Sequence, residues 1–446
     1  MPILPIDTGR YGSPEMRRIF EEEARIQKLL DVEAALALAQ AEVGNIPPKD
    51  AEKIAEMACT EYVKVDRVKE IERDIKHDLA ALVRALAEVC GSSGGYVHLG
   101  ATSYDIVDTA NSLQLKEAMG IIEKKLICFK DILKEKTKMY KNTVMIGRTH
   151  GQHALPITLG FKFAVWTSEV SRHIERLRQC RTRVLVGKMS GAVGTQAGLG
   201  EHASRIQELV MKRLEIQPAE ISTQIVQRDR YAELVCVFAL IASSLETFAT
   251  EIRELQRPEI GELSESFGAE KQVGSSTMPH KRNPETCERI CGLARIVRSL
   301  VIPAMENIVT WHERDLTQSS AERFIFPEAC ILTDYLLDMM INVATNLCIN
   351  EQRMFDNTKL TKGRAMSEAV MIALVRKGVN RQEAHELLRQ LTIKSEIEAR
   401  PFKDILKEDK IIMEKLAEND IKAALDPKNY LGTAVNQAEA IAGKED

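Results

Sequence analysis

Stretches of 25 residues and more that keep a helical period set the strongest limit on what this chain can fold into. In "SPEMRRIFEEEARIQKLLDVEAALALAQAEVG", residues 13–44, Ile19, Ile26, Leu30, Ala34 and Ala37 trace one apolar stripe. Ser13 is placed to cap the helix, Pro14 stands at its first position and Gly44 stops it. Comparable patterns cover about 65–90, 104–140, 157–186, 228–256 and 285–309. At 1.5 Å per residue several of them span roughly 35–45 Å. Helices that long rarely close a globule alone, and they predict an elongated bundle continued across a subunit interface. Aromatic residues make up only 5% and β-branched runs are few. The expected fold class is all-α.

A division into three helical domains follows: an N-terminal one over 1–103, a long central bundle with the catalytic loops over 104–355, and a C-terminal set of shorter helices over 356–446. Glycine marks the functional loops. Residues 91–100 hold four, 187–200 hold five and 261–274 hold three, which together are twelve of the 24. Glycine in loops permits positive φ and close approach of backbone to a ligand.

A net charge of −4 argues against a general nucleic-acid surface, so any phosphate site must be a local cluster of Arg and Lys. The nine cysteines never form a C-x-x-C pair and read as reduced thiols. No secretory signal and no run of 18 apolar residues is visible, so the expectation is a soluble, cytoplasmic protein with no membrane partner.

The chemistry concentrates in "GSSTMPHKRNP", residues 274–284, which has no hydrophobic period. It sets two hydroxyls, Ser275 and Ser276, beside His280, Lys281 and Arg282, between Gly274, Pro279 and Pro284. Further histidines sit in loops: His98 in "GGYVHLGATSYD", His150 and His153 in "GRTHGQHALP", His312 in "WHERDLTQSSAER". Histidine titrates near neutrality and suits proton transfer, although any one of these could be a surface or capping residue. His150 and His153 have H-x-x-H spacing, but glycines and a proline deny them a helical face and no carboxylate-rich partner accompanies them, so no metal is expected. No phosphate loop, dinucleotide fingerprint or G-x-S-x-G elbow occurs. The remaining possibility is cofactor-free chemistry: a serine made basic in a dry site, with Lys281 and amides around Ser276 stabilising charge on a carboxylate. Such a set suits removal of a proton α to a carboxylate, with a histidine protonating the leaving atom.

"GSSTMPHKRNP" resembles the signature loop of the fumarase/aspartase superfamily, whose members cleave C–N or C–O bonds and usually release fumarate. "GRYGSPEM", "IKHDLAALV", "YVHLGATSYDIVDTA", "GRTHGQHALPIT", "STQIVQRDRYAE" and "WHERDLTQSSAERFIFPE" narrow the resemblance to the adenylosuccinate lyase family, over nearly the whole chain. The resemblance implies cleavage of adenylosuccinate to AMP and fumarate, and of SAICAR to AICAR and fumarate, with no cofactor. It makes Ser275 the general base, His150 the general acid and Glu288 the carboxylate that orients this histidine. Lys281, Asn283, Thr102, Ser103 and Thr149 fall near the succinyl carboxylates, and Gln224 matches a substrate-binding glutamine. Arg10, Tyr11, Arg314, Ser319 and Arg323 match residues that hold the nucleotide and its phosphate. Lys76, His77 and Asp78 fit the family's "HD" pair near the same ligand, and His98 matches another active-site histidine. Ser276 and Arg289 join the substrate-binding set. The resemblance also implies a homotetramer whose active sites are assembled from three chains, and a lid over 262–284 hinged at Gly268 and Gly274.

Other readings of the same residues stand beside these. Arg314 with Asp315, and Glu322 with Arg323, could be surface ion pairs at a helix end, His77 a buried structural histidine, and Glu288 and Arg289 a solvated helix face. Among enzymes the nearest rival is 3-carboxymuconate cycloisomerase, whose loop can share "GSSTMPHKRNP" but which handles no nucleotide. Argininosuccinate lyase and fumarase usually differ in this loop. The rival of another class is a structural protein that kept the fold and lost the activity.

Overall fold

Helix begins at Pro14, where the Ser13 hydroxyl accepts the Met16 amide at 3.2 Å. The computed structural model describes residues 3–267, 277, 278 and 280–444. The expected first helix is two: α1 (Pro14–Phe20) and α2 (Glu22–Glu42), separated by Glu21 in an extended conformation. Glu22 and Glu23 then occupy the first turn of α2, where carboxylates complement the helix dipole. Gly44, at φ +84°, ends it. After α3 (Pro48–Met57), the pattern over 65–90 also divides, into α4 (Val65–Ile75) and α5 (Asp78–Cys90). Lys76 adopts the left-handed conformation at φ 55°, and the His77 ring accepts the Ala80 amide at 3.3 Å as the N-cap of α5.

Three long patterns appear as single helices: α6 (Ser103–Met139), α7 (Leu159–Val184) and α9 (Asp229–Gln256). Between the first two lies an antiparallel hairpin of β1 (Val144–Thr149) and β2 (Gln152–Thr158). The short strands β3 (Val186–Gly187) and β4 (Gln217–Pro218) flank α8 (Ala203–Leu214) and pair in parallel. By length and composition α9 could span a bilayer, but 67% of its apolar stretch is buried inside the protein, as in a core helix. Strand β5 (Leu263–Ser264) pairs with β6 (Cys348–Ile349). The 285–309 pattern breaks into α10 (Glu285–Ser299) and α11 (Val301–Glu306), because Pro303 has no amide to offer the Ser299 carbonyl. Conversely, α12 (Thr317–Thr345) runs on through Pro327. Seven shorter helices follow among the described residues: α13 (Glu351–Asn357), α14 (Ser367–Arg376), α15 (Arg381–Ile397), α16 (Phe402–Glu408), α17 (Lys410–Lys415), α18 (Glu418–Ala424) and α19 (Ala434–Ala442). The fold is all-α, with strands only in three two-stranded pairings among the described residues.

Contacts divide the chain into two units, neither of them a continuous stretch of sequence. The first comprises Met1–Ile127, Arg172–Glu246 and Ile290–Met339. In its core, Leu30 and Leu36 of α2 join Ile54, Leu82, Leu86 and Val210, all at most 1% exposed. The second comprises Cys128–Ser171, Thr247–Arg289 and Met340–Asp446. Trp166 stacks on Phe248 at 4.7 Å there, and a separate C-terminal core gathers Val370, Leu374, Phe402, Ile405 and Leu406.

Candidate active site

In the first unit the predicted residues are held by α5, α6, α12 and the loops before α9 and α12. The start of α6 follows from "TSYD": the Asp105 carboxylate reaches back to the Thr102 amide at 2.8 Å, half of a capping box. Asp105 is fully buried and also accepts the Lys188 ammonium and the amides of Ser190 and Gly191. It therefore fixes Thr102 and Ser103 to the glycine-rich loop after β3. From that loop the Ala192 carbonyl accepts the Gln224 side-chain amide at 2.8 Å, and the Gln224 oxygen in turn accepts Arg314 Nη1 at 2.8 Å.

Arg314 lies over the Tyr104 ring, its Cζ 3.6 Å from the ring centroid. Burial pushes the Tyr104 phenol's pKa up, against the effect of Ser319 and Arg314 beside it. Beneath them Arg228 is buried between two carboxylates, bidentate to Asp108 at 2.8 Å on each nitrogen and bonded to Glu322 at 2.9 and 3.2 Å. Burial and the Asp108 charge push the Glu322 carboxyl up to about 7, against the pull of Arg228. Glu322 is thus a buried network member and not a surface partner of Arg323.

Arg323 pairs instead with Asp78 at 2.5 Å, and Arg25 approaches the same oxygen at 3.5 Å. Burial opposes ionisation of Asp78, but Arg323, the Leu79 amide and Arg25 outweigh it and hold the carboxyl below its ordinary value. His77 caps α5 through Nδ1, which leaves its Nε2 as the donor. Lys76 precedes it in the left-handed turn. Arg10 and Tyr11 stand side by side, 5.9 Å from guanidinium to ring, with Tyr11 tilted against Tyr335. Gly12 must be glycine: φ is +95°, and a Cβ there would meet the Ile331 methyl at 2.3 Å. His98, at φ 63°, places Nδ1 2.6 Å from the buried Glu33 carboxylate. Burial favours the neutral ring, but Glu33 and Asp105 prevail and raise its pKa.

In the second unit His150 is exposed at the tip of the β1–β2 hairpin. Thr149 pairs with Gln152, so His150 and Gly151 form a two-residue turn, with φ of 54° and 73°. Both being positive suits the right-handed twist of a hairpin, and it costs strain at the histidine. The hairpin is anchored by Arg148, bidentate to buried Glu262 at 2.9 and 2.7 Å, with Asn357 bonded to the same carboxylate. His153 faces this pair across the strands, and burial and Arg148 lower its pKa. Among the described residues no group of three His, Cys, Asp or Glu could hold a metal ion.

Lys281 is exposed, with its amide bonded to the Met278 carbonyl, while Asn283 and Arg289 are half-buried and Glu288 is exposed in the first turn of α10. The Glu265 carboxylate caps α10 from a distance, accepting the Thr286 and Cys287 amides. Among the described residues the chain makes no hydrogen bond between His150 and Glu288. Ser275, Ser276, Gly268 and Gly274 lie outside the described residues. Sequence reasoning passed over Tyr104, Glu33 and Arg228. For Glu33 a signal existed, a lone charge in "VEAALALAQ".

Comparison with known proteins gives this geometry its family. A model described as lyase matches residues 9–299, and one described as adenylosuccinate lyase C-terminus matches 363–441. The adenylosuccinate lyase of Pyrococcus abyssi is 56% identical over 441 residues, 99% of this chain and 97% of that one. That of Methanocaldococcus jannaschii is 51% identical over 435 residues, covering 97% and 94%. Among solved structures, a fumarate lyase from Mesorhizobium sp. BNC1 superposes with a TM-score of 0.91 at 30% identity over the whole of both chains. The 3-carboxy-cis,cis-muconate lactonizing enzyme of Pseudomonas putida gives 0.90 at 33% identity over 98% of each. With matches of this extent and identity, the chain is a lyase of the fumarase/aspartase superfamily and belongs to the adenylosuccinate lyase family.

Proposed function

We propose that this enzyme eliminates fumarate from adenylosuccinate, leaving AMP, and from SAICAR, leaving AICAR, in purine nucleotide synthesis. The observation that carries the reading is 56% identity to an adenylosuccinate lyase across 99% of the chain. The gathering of Gln224, Arg314, Ser319, Asp78 and Arg323 supports it, as a basic and hydroxyl cluster suited to a phosphate in a net-acidic protein. Arg10 and Tyr11, with Lys76 and His77, belong to the same nucleotide-binding set in this reading.

Ser275 takes the Cβ proton of the succinyl group, and the electron pair passes into the adjacent carboxylate. Lys281, Asn283, Thr102, Ser103 and Thr149 stabilise that charge, with the Ser276 amide and Arg289 beside them. The C–N bond then breaks, and His150 gives the departing nitrogen its proton. The exposed position of His150 and of Glu288 fits active sites completed by other copies of the chain, where a neighbour's carboxylate orients the ring. A homotetramer also gives the apolar side chains exposed over 296–324 a covering surface. Nine free thiols fit a reducing compartment, the cytoplasm.

The test is fumarate release by the purified, chelator-treated protein from adenylosuccinate and, separately, from 3-carboxymuconate. Fumarate with AMP from the first alone is expected. Turnover of carboxymuconate alone, the outcome that the likeness to the lactonizing enzyme makes worth testing, would move the assignment there. Silence on both from a folded protein would point to an inactive member of the superfamily.

A further inference from the structure

Tyr104 has no role in the site as the sequence predicts it, yet it touches two of the residues expected to hold the nucleotide. Its ring is 6% exposed and carries the Arg314 guanidinium on its face at 3.6 Å. Its hydroxyl faces Ser319. Arg228, itself fixed by Asp108 and Glu322, stands 5.7 Å from the same ring. The backbone of Tyr104 lies between Ser103 and the capping Asp105, at the start of a 37-residue helix.

The consequence for Arg314 is geometric. A guanidinium laid on a ring keeps its N–H donors in the plane parallel to that ring, free to meet an acceptor edge-on. One of those donors is taken by Gln224 at 2.8 Å, while Nε is buried with no partner among the described residues. A buried donor without an acceptor is costly, and a bound anion or water would relieve it. Gln318, one residue before Ser319, is likewise fully buried with both amide atoms unpartnered among the described residues. Arg314 and Gln318 thus hold buried polar atoms set for a partner that the described residues do not supply.

We propose that Tyr104 is a positioning residue for the nucleotide's phosphate: its ring fixes the plane of Arg314 and its hydroxyl fixes Ser319, so that the two donors converge on one anionic group. This rests on the reading of the substrate as a nucleotide. A merely structural tyrosine would weaken everything alike when removed, whereas a positioning residue affects only the ligand that bears the phosphate.

The experiment compares binding of AMP and of adenosine by calorimetry to the wild type, Tyr104→Met and Tyr104→Phe. Methionine fills the space with a flexible apolar chain but offers no flat face. AMP affinity should fall about tenfold in Tyr104→Met, the scale of a desolvated cation–π contact, with adenosine affinity unchanged. In Tyr104→Phe the ring remains and only the hydroxyl that faces Ser319 is lost, so AMP affinity should fall about threefold. In turnover, KM for adenylosuccinate should rise in step with the loss of AMP affinity, with kcat within about twofold. If Tyr104→Met does not fold, the phenylalanine variant decides by the same AMP-to-adenosine ratio. The inference is overturned by AMP binding that stays at the wild-type level, by equal losses for AMP and adenosine, or by a wild type that does not prefer AMP. A wild type that releases no fumarate would sink the functional reading alone, because the binding ratio still judges the ring.

Discussion

A carboxylate and a histidine 65 positions apart in sequence make the sharpest prediction at the scale of single residues. Glu33 raises the pKa of His98 above the ordinary 6.5 against the effect of burial. The charged pair therefore contributes stability that is fully present below pH 6.5 and is lost as pH rises through the raised value. In Glu33→Gln the ring's NMR titration midpoint should drop; a midpoint that stays put would transfer the effect to Asp105. Glu322 runs in the same direction, from a carboxyl. Its carboxyl ionises near 7 in the folded protein and at 4.5 in the ordinary case, so folded stability declines between those values as pH rises. Glu322→Gln should lack that decline, seen as melting temperatures that gain on the wild type from pH 5 to pH 8; parallel curves would mean that Glu322 stays ionised. For His150 two variants separate the acid from the turn. Both His150→Ala and His150→Asn should abolish fumarate release, although asparagine tolerates the left-handed turn. Retained kcat in either would remove the assigned role. The sequence made some of these residues legible and others not. Thr102 and Asp105 are readable because a capping box is local. Arg228 is not, because its partners lie 94 and 120 positions away.

Helices were legible where the period ran unbroken, as in α6, α7 and α9, and illegible at their breaks. Nothing in "DIKHDLA" announces that Lys76 turns left-handed, because lysine carries no such preference and the apolar stripe continues on both sides. Pro327 misleads in the other direction: it reads as a breaker, yet α12 runs through it, with Ile325 and Phe326 buried before it and Ala329 and Cys330 after it. The break at residues 76 and 77 matters for function, since it sets His77 and Asp78 at the start of α5. At the start of α10 the cap is borrowed from Glu265, about 20 residues upstream. Glu265→Ala should cost about 1 kcal/mol, read as a lower urea midpoint at unchanged slope. A variant with the wild-type midpoint would show that water replaces the carboxylate there.

At the scale of the whole molecule the all-α class follows from periodicity and composition, but the surface does not. Ile302, Val309, Trp311, Leu316 and Phe324 are all more than 60% exposed in the single chain, a concentration that monomers rarely carry. In the proposed tetramer these side chains are covered, and stability then depends on protein concentration. The melting temperature should rise across a hundredfold increase in concentration, and Trp311→Glu should sediment as a smaller species. A concentration-independent melt with a monomer's sedimentation would refute that assembly. The clasp at Glu265 reaches further than stability. It ties the residue before the serine-bearing segment to the amides just after it, and Gln256 holds Glu265 and the Arg282 carbonyl on the same side. A loop whose ends are joined by the frame can change length at a cost that grows only logarithmically. The segment between Glu265 and Thr286 is in that sense a replaceable cassette, and descendants of this chain could acquire new chemistry there while the helices around it inherit their positions unchanged.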